Sequence, residues 1–376
     1  MMNTEELVRQ LENNLEKVHT QSLDLSFNEL LDMYIDGELD INPEYQRLFR
    51  WSEGARSRFI ESLLLEMPVP PIYVVEDDSG SYELIDGLQR FSSYLHLRGH
   101  LTAEHLSNPV NEGDVLKLQD CDIVQDLNGF TYEELPLSLK LRLKRAFVRV
   151  EVVRKGSDRK FRYHMFKRLN TGGEELTPQQ IRNCTIRMLD SRFIDFIIDQ
   201  SKSEDFVKCI DRISDVQKLG SFDQELVLRY FAIKNAQDQF VHDISDYLTE
   251  YMEAVTDPEN DATQFQYELE EQNFLKTFKV LNKAYQDKVF GRWGTNGPQA
   301  NFAVYQFESI CIGIQDIIEK VDPENGQHID SIRRILADLK QDEEFISQTT
   351  GGGKNSRGSL AKRIGVAQTK FLTFQP

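Results

Sequence analysis

The sequence predicts an α+β amino-terminal domain followed by an all-helical carboxy-terminal one. Three observations carry that expectation. PPIYVVED and SYELID are short apolar runs joined by the turn cluster DDSGS, so residues 72–76 and 81–85 read as a hairpin. VRVEVV, residues 148–153, alternates apolar and polar side chains as a half-buried strand does. From about residue 187, apolar residues recur at three- and four-residue spacing through 189–198, 222–235, 240–255, 265–290, 300–320 and 328–346. DPENDA and GRWGTNGP break that pattern.

The elements follow in order. Leu7, Leu11, Leu15 and Val18 have helical spacing and predict a peripheral helix over 5–18. SFNELLDMYIDGEL repeats the pattern and ends at Gly37, which suits a C-cap. Ser52 is placed to cap a helix carrying Phe59, Ile60, Leu63 and Leu64, which Pro68, Pro70 and Pro71 bring to an end. The strand through Leu84 and Ile85 stops at Asp86-Gly87, and helical spacing resumes at Phe91, Tyr94, Leu95 and Leu97. Residues 100–145 are polar and irregular and read as an insertion ending in the charged helix LSLKLRLKRAF. A helix over 159–170 leads to a turn at Arg168, and Thr177-Pro178 then reads as an N-cap and first helical position. The expected division is 1–186 and 187–376.

Composition bounds the function classes. The chain has 376 residues, 40% hydrophobic and 28% charged, an ordinary globular balance with room for a sizeable core. A net charge of −18 disfavours nucleic-acid binding by the surface at large and leaves DNA contact to a local basic patch. Cys121, Cys184, Cys209 and Cys311 lie far apart without a CxxC pair and read as reduced, mostly buried thiols. MMNTEELVRQLENNLEKV is polar and acidic, and no apolar stretch approaches membrane-spanning length. A cytoplasmic protein without membrane contact is expected.

The segment richest in chemistry is SYELIDGLQRFSSYLHL, residues 81–97. A strand, a glycine turn and a helix present free backbone N–H groups and a positive dipole end to an anion. Arg90 adds a planar, permanently charged fork suited to phosphate. Asp86 suits a metal ion or a sugar hydroxyl, and Gln89 suits orienting a water or reading a base. Alone, such a turn is more often an ordinary strand-to-helix junction with a surface arginine. INPEYQRLFRW, residues 41–51, adds Gln46, Arg47 and Arg50 beside Tyr45, Phe49 and Trp51. HMFKRLNTGGEELTPQQIRN, residues 164–183, adds Arg168, Asn170 and Thr171 before Gly172-Gly173. Three segments that each combine arginine with a neutral amide converge most economically on one phosphate-bearing ligand.

NPEYQRLFRW, FIESLLLEMPVPPIYV, LIDGLQR and FKRLNTGGEELTPQQIRN occur in an order that resembles the amino-terminal domain of GmrSD-type restriction systems. That family of bacterial defence proteins has a fold similar to ParB and sulfiredoxin, and the resemblance covers roughly residues 20–190. It implies binding and hydrolysis of a nucleoside triphosphate with Mg²⁺ through a motif usually written DGQQR. Here the motif is DGLQR: Asp86, Gly87, Gln89 and Arg90 match, and Leu88 replaces the first glutamine, which bears on hydrolysis more than on binding. Under this resemblance Asp86, Gln89 and Arg90 are the catalytic group. Asp86 holds Mg²⁺ or positions water, and Gln89 orients the nucleophile. Arg47, Arg90 and Arg168 neutralise phosphates, Gly87 and Gly172 admit them to the backbone, and Asn170 and Thr171 bond to phosphate or sugar.

Other motifs add less. TTGGGKNSRGSLAKRIG fails the phosphate-loop pattern, because Gln348 stands where the first glycine is needed and Asn355 follows Lys354. A glycine loop at 350–363 with Lys354, Ser356, Arg357 and Ser359, feeding a basic helix with Lys362 and Arg363, remains; a mobile terminal loop is the preferred reading. His96, His100 and His105 lack metal-ligand spacing, and His164, four residues before Arg168, reads as structural. GmrSD-type machines add an HNH nuclease, yet after residue 170 the sequence offers only His242 and His328. The expected protein is a nucleotide-binding sensor or NTPase subunit of an anti-phage or restriction system, with a separate effector such as a nuclease. The alternatives are a ParB-like DNA-binding protein or nuclease, and a catalytically inert nucleotide-binding module.

Overall fold

The computed structural model describes residues 8, 9, 12, 19–41, 43–46, 48–77, 79–106, 108–155, 157, 165, 168, 169, 177–187, 189–241, 243–257, 260, 264–295, 297–354 and 356–375. The helices expected over 5–18 and 159–170 fall mostly outside them. Two compact units, Met1–Leu176 and Thr177–Pro376, make up the chain.

The first unit is built on a five-stranded mixed sheet of order β1-β5-β3-β4-β2. β1 (Thr20–Ser26) is an edge strand. The α1 helix (Phe27–Ile35) follows at once, its N-terminus capped by Ser26 Oγ, which accepts from Glu29 N. Gly37 takes a positive φ of 76° as expected, and Glu38 N reaches back to Met33 O, closing the helix end. β2 (Leu39–Asp40) and the short α2 (Pro43–Gln46) lead to α3 (Glu53–Leu64), which Ser52 caps through Ala55 N as predicted. β3 (Ile72–Glu76) and β4 (Tyr82–Asp86) form the expected antiparallel hairpin. α4 (Leu88–Leu97) then buries Phe91, Tyr94, Leu95 and Leu97. After the irregular 100–136 segment, α5 (Leu137–Arg145) buries only Leu143, and β5 (Phe147–Val153) enters the sheet. β5 pairs antiparallel with β1 and parallel with β3, turning Val148, Val150 and Val152 inward. Phe27 meets Phe59 edge-on at 5.7 Å and Tyr94 at 5.4 Å, so α1, α3 and α4 share one aromatic core.

The second unit is helical, apart from a minimal hairpin. Its elements are α6 (Pro178–Arg187), α7 (Ser191–Ser201), α8 (Glu204–Cys209), α9 (Asp215–Leu219), α10 (Phe222–Ala236), α11 (Ile244–Thr256) and α12 (Tyr267–Tyr285). There follow β6 (Trp293–Gly294), β7 (Gly297–Pro298), α13 (Val304–Gly313), α14 (Gln315–Ile318), α15 (Gly326–Gln341), α16 (Glu343–Thr349) and α17 (Arg357–Phe371). Thr177 caps α6 reciprocally: Gln180 N donates to its Oγ1, and Thr177 N donates to Gln180 Oε1. The unit boundary falls before α6, one helix earlier than 186/187, because polar side chains anchor α6 to this unit. Gln180 Nε2 donates to Leu219 O, and Asn183 bonds to Gln224.

A buried ionic chain runs through these helices. Arg182 pairs with Glu225 at 2.9 Å, Glu225 with Arg229 at 2.8 Å, and Glu308 accepts from both Arg229 and Arg363 at 2.5 Å. This corrects the expected basic face of the carboxy-terminal helix: Arg363 is buried, lies over the Tyr305 ring and donates to Lys354 O. Lys340 is also buried. Its ammonium donates to Gly291 O and Gln306 Oε1, and burial pulls its pKa down to about 7. All four cysteines are free and buried, as expected. Among the described residues, no helix is long and apolar enough to cross a membrane.

Candidate functional site

The site grows from the end of β4. Between Tyr73↔Asp86 and Val74↔Leu84 the register shifts, so one step on β3 matches two on β4 and Ile85 is the extra residue. Such a bulge re-aims the next side chain, here Asp86. Gly87 follows with φ 103°, and a Cβ there would lie 2.7 Å from Ile72 Cγ1. Only glycine satisfies both the left-handed backbone and the close approach to β3. α4 starts at Leu88 with no side-chain cap at its N-terminus. Leu88 is buried in the core, so its replacement of a polar residue leaves the solvent side of the turn unchanged.

Arg90 turns back over the glycine. Its Nη2 donates to Asp86 Oδ2 at 2.8 Å and its Nη1 to Pro70 O at 3.0 Å. The guanidinium is mostly buried and the carboxylate is about one-third exposed. The fork is thereby aimed before any ligand arrives, and a preset geometry lowers the entropic cost of binding.

Gln89 faces the other way, onto residues 48–51. Its Oε1 accepts from Arg50 N and Trp51 N at 3.0 and 3.1 Å, and its Nε2 donates to Leu48 O at 2.8 Å. Three more side chains clamp the same stretch. His105 Nε2 bonds to Phe49 O at 2.9 Å, Arg56 Nε donates to Trp51 O at 2.8 Å, and Gln46 Nε2 donates to Thr102 O at 2.9 Å. Arg56 is buried over the Phe49 ring, 4.7 Å from its centroid, and its Nη1 donates to His96 Nδ1 at 2.9 Å. Burial, reinforced by the Arg56 charge, holds the His96 pKa down at about 4, so the ring is neutral and Nδ1 accepts.

The structure thus brings the DGLQR turn and the 46–51 segment together. Arg168 is an exposed helical residue, and Arg47, Asn170, Thr171, Gly172 and His164 lie outside the described residues. The histidines share no ligand: His96 takes Arg56, His100 takes Glu112 and His105 takes Phe49 O. No group of metal-ligating side chains is present among the described residues. Sequence reasoning missed the Arg56–His96–His105 clamp, because contacts from side chain to distant backbone leave no periodic trace.

A mixed sheet that delivers a carboxylate into a left-handed glycine turn, with an arginine one helical turn on, defines an α+β domain with a strand–turn–helix site. Residues 27–187 match the family described as GmrSD restriction endonuclease, N-terminal domain, and this part of the chain is similar to that family. The match relates this part of the chain to proteins of restriction and defence systems. No curated protein and no solved structure matches the chain.

Proposed function

We propose that this protein is a cytoplasmic nucleotide-binding sensor or NTPase subunit of a restriction or anti-phage system, acting with a separate effector. The observation that carries the reading is the Asp86–Arg90 pair astride the Gly87 turn, at an uncapped helix N-terminus. In this reading Arg90, held by Asp86 and Pro70 O, offers its remaining N–H groups to a phosphate oxygen, and Asp86 would be the residue that holds Mg²⁺. An exposed carboxylate oxygen fits that hard cation, which would supply charge neutralisation to the triphosphate. The Leu88, Gln89 and Arg90 N–H groups add donors without side-chain competition. Gln89, engaged with three backbone groups, positions the segment bearing Arg47 and Arg50 rather than touching the nucleophile. Arg168, Asn170, Thr171 and Gly172 complete the phosphate side. The same reading takes the sheet domain as ParB/sulfiredoxin-like, on the strength of the four ordered motifs.

Cleavage belongs to another chain or another segment in this account. His328, one of the two histidines after residue 170, accepts from Asp322 N and meets Phe374 edge-on, which is a structural placement. The test incubates the purified chain with plasmid DNA, Mg²⁺ and each triphosphate. Saturable triphosphate binding without cleavage is expected. Robust cutting by the lone chain, abolished in Asp86→Ala, would overturn the sensor reading in favour of a nuclease.

A further inference from the structure

We propose that Glu151 and Tyr73 read the sugar of the ligand held at the DGLQR turn and select a ribonucleoside triphosphate; this rests on the reading of Asp86 and Arg90 given above. Strand register brings these residues together. Asp86 on β4 lies opposite Tyr73 on β3, Tyr73 lies beside Glu151 on β5, and Glu151 lies opposite Ser22 on β1. Paired residues of neighbouring strands share a face, so these four form one polar row across the sheet. The opposite face carries Ile72, Val74, Leu84, Val150 and Val152, all buried.

The row lies where its own face opens. Two residues further along the same strands, Val75 and Val153 are buried, whereas Tyr73, Glu151 and Asp86 are part-exposed. Electrostatics then orient a nucleotide along the row. Arg90 draws phosphates to the Asp86 end, and the Glu151 carboxylate repels them from the other. Glu151 is two strand spacings from Asp86, about 10 Å. Two carboxylates that far apart do not share one metal ion. The separation is instead comparable with the reach from the outer phosphates of a nucleotide to its ribose. Ser22 Oγ donates to Glu151 Oε2 at 2.6 Å, which steadies the carboxylate and leaves Oε1 to accept from the ribose hydroxyls. Tyr73 stands between the two carboxylates, and its ring offers an apolar wall to the carbon side of the sugar.

The test is calorimetry on the full chain with Mg²⁺, using each ribonucleoside triphosphate, its 2′,3′-dideoxy analogue and inorganic tripolyphosphate. The parent is expected to bind the ribose form about ten- to hundred-fold more tightly than the dideoxy form, the worth of hydrogen bonds to a carboxylate. Glu151→Ala should abolish that preference and leave tripolyphosphate affinity at the parent value. The isosteric Glu151→Gln, which keeps the shape and removes the charge, should reduce the preference by less. Tyr73→Leu should weaken every nucleoside triphosphate several-fold and spare tripolyphosphate. Tripolyphosphate binding together with equal affinity for ribose and dideoxy forms, or a ribose preference that persists in both Glu151 variants, would overturn this proposal and leave the Asp86–Arg90 reading standing. A parent that binds neither tripolyphosphate nor any nucleotide would overturn both.

Discussion

Arg90→Ala is expected to weaken triphosphate binding ten- to hundred-fold, the largest functional effect of any single change at the turn. A charge-assisted hydrogen bond to phosphate contributes about 1.5–3 kcal/mol. Arg90 is also the side chain whose position Gly87 fixes, because its Nη2 lies 3.4 Å from where a Gly87 Cβ would sit. Lysine should restore only part of the loss. Its single ammonium cannot span Asp86 and Pro70 O as the fork does. Calorimetry of the parent, Arg90→Ala and Arg90→Lys checks this, and equal binding by all three would remove Arg90 from the site.

The largest effect on stability is expected at Glu308→Gln. Glu308 is buried and holds Arg229 and Arg363 at once. Removing its charge takes from Arg363 its carboxylate partner and leaves Arg229 to share Glu225 with Arg182. Breaking a buried ion pair costs about 3–5 kcal/mol, because a desolvated charge loses its partner. For a unit of this size that lowers the melting transition by about 6–20 °C. Glu204→Gln, which removes an exposed i,i+4 pair with Lys208, should barely move it. A thermal scan in which both variants melt alike would contradict the account of the ionic chain.

The hairpin, the glycine turn and the helix after it were legible because each has a local cause. Apolar runs bounded by turn residues marked β3 and β4, and serine and glycine marked helix ends at Ser52 and Gly37. Leu88 inside DGLQR was readable as a core position, and it is one. β1 escaped notice because TQSLDLS is an edge strand with only Leu23, Leu25 and Ser26 part-buried, too little for an alternation signal. β2 is two residues long. Arg363 was misread for a physical reason: a basic residue after a glycine loop looks solvent-bound, and only Glu308, 55 residues away, reveals that it is buried. The Gln89 amide shows the same limit. Its type and place were legible, but its three backbone partners lie 38–41 residues distant.

The central claim is that Asp86 and Arg90 hold one ligand between them, the carboxylate through Mg²⁺ and the guanidinium through phosphate. It is tested most directly by the Mg²⁺ dependence of triphosphate affinity in the parent and in Asp86→Ala, measured by calorimetry on the full chain. The account predicts that Mg²⁺ tightens binding in the parent and leaves the Asp86→Ala affinity unchanged. An equal Mg²⁺ enhancement in both proteins, or no triphosphate binding by the parent, would contradict it.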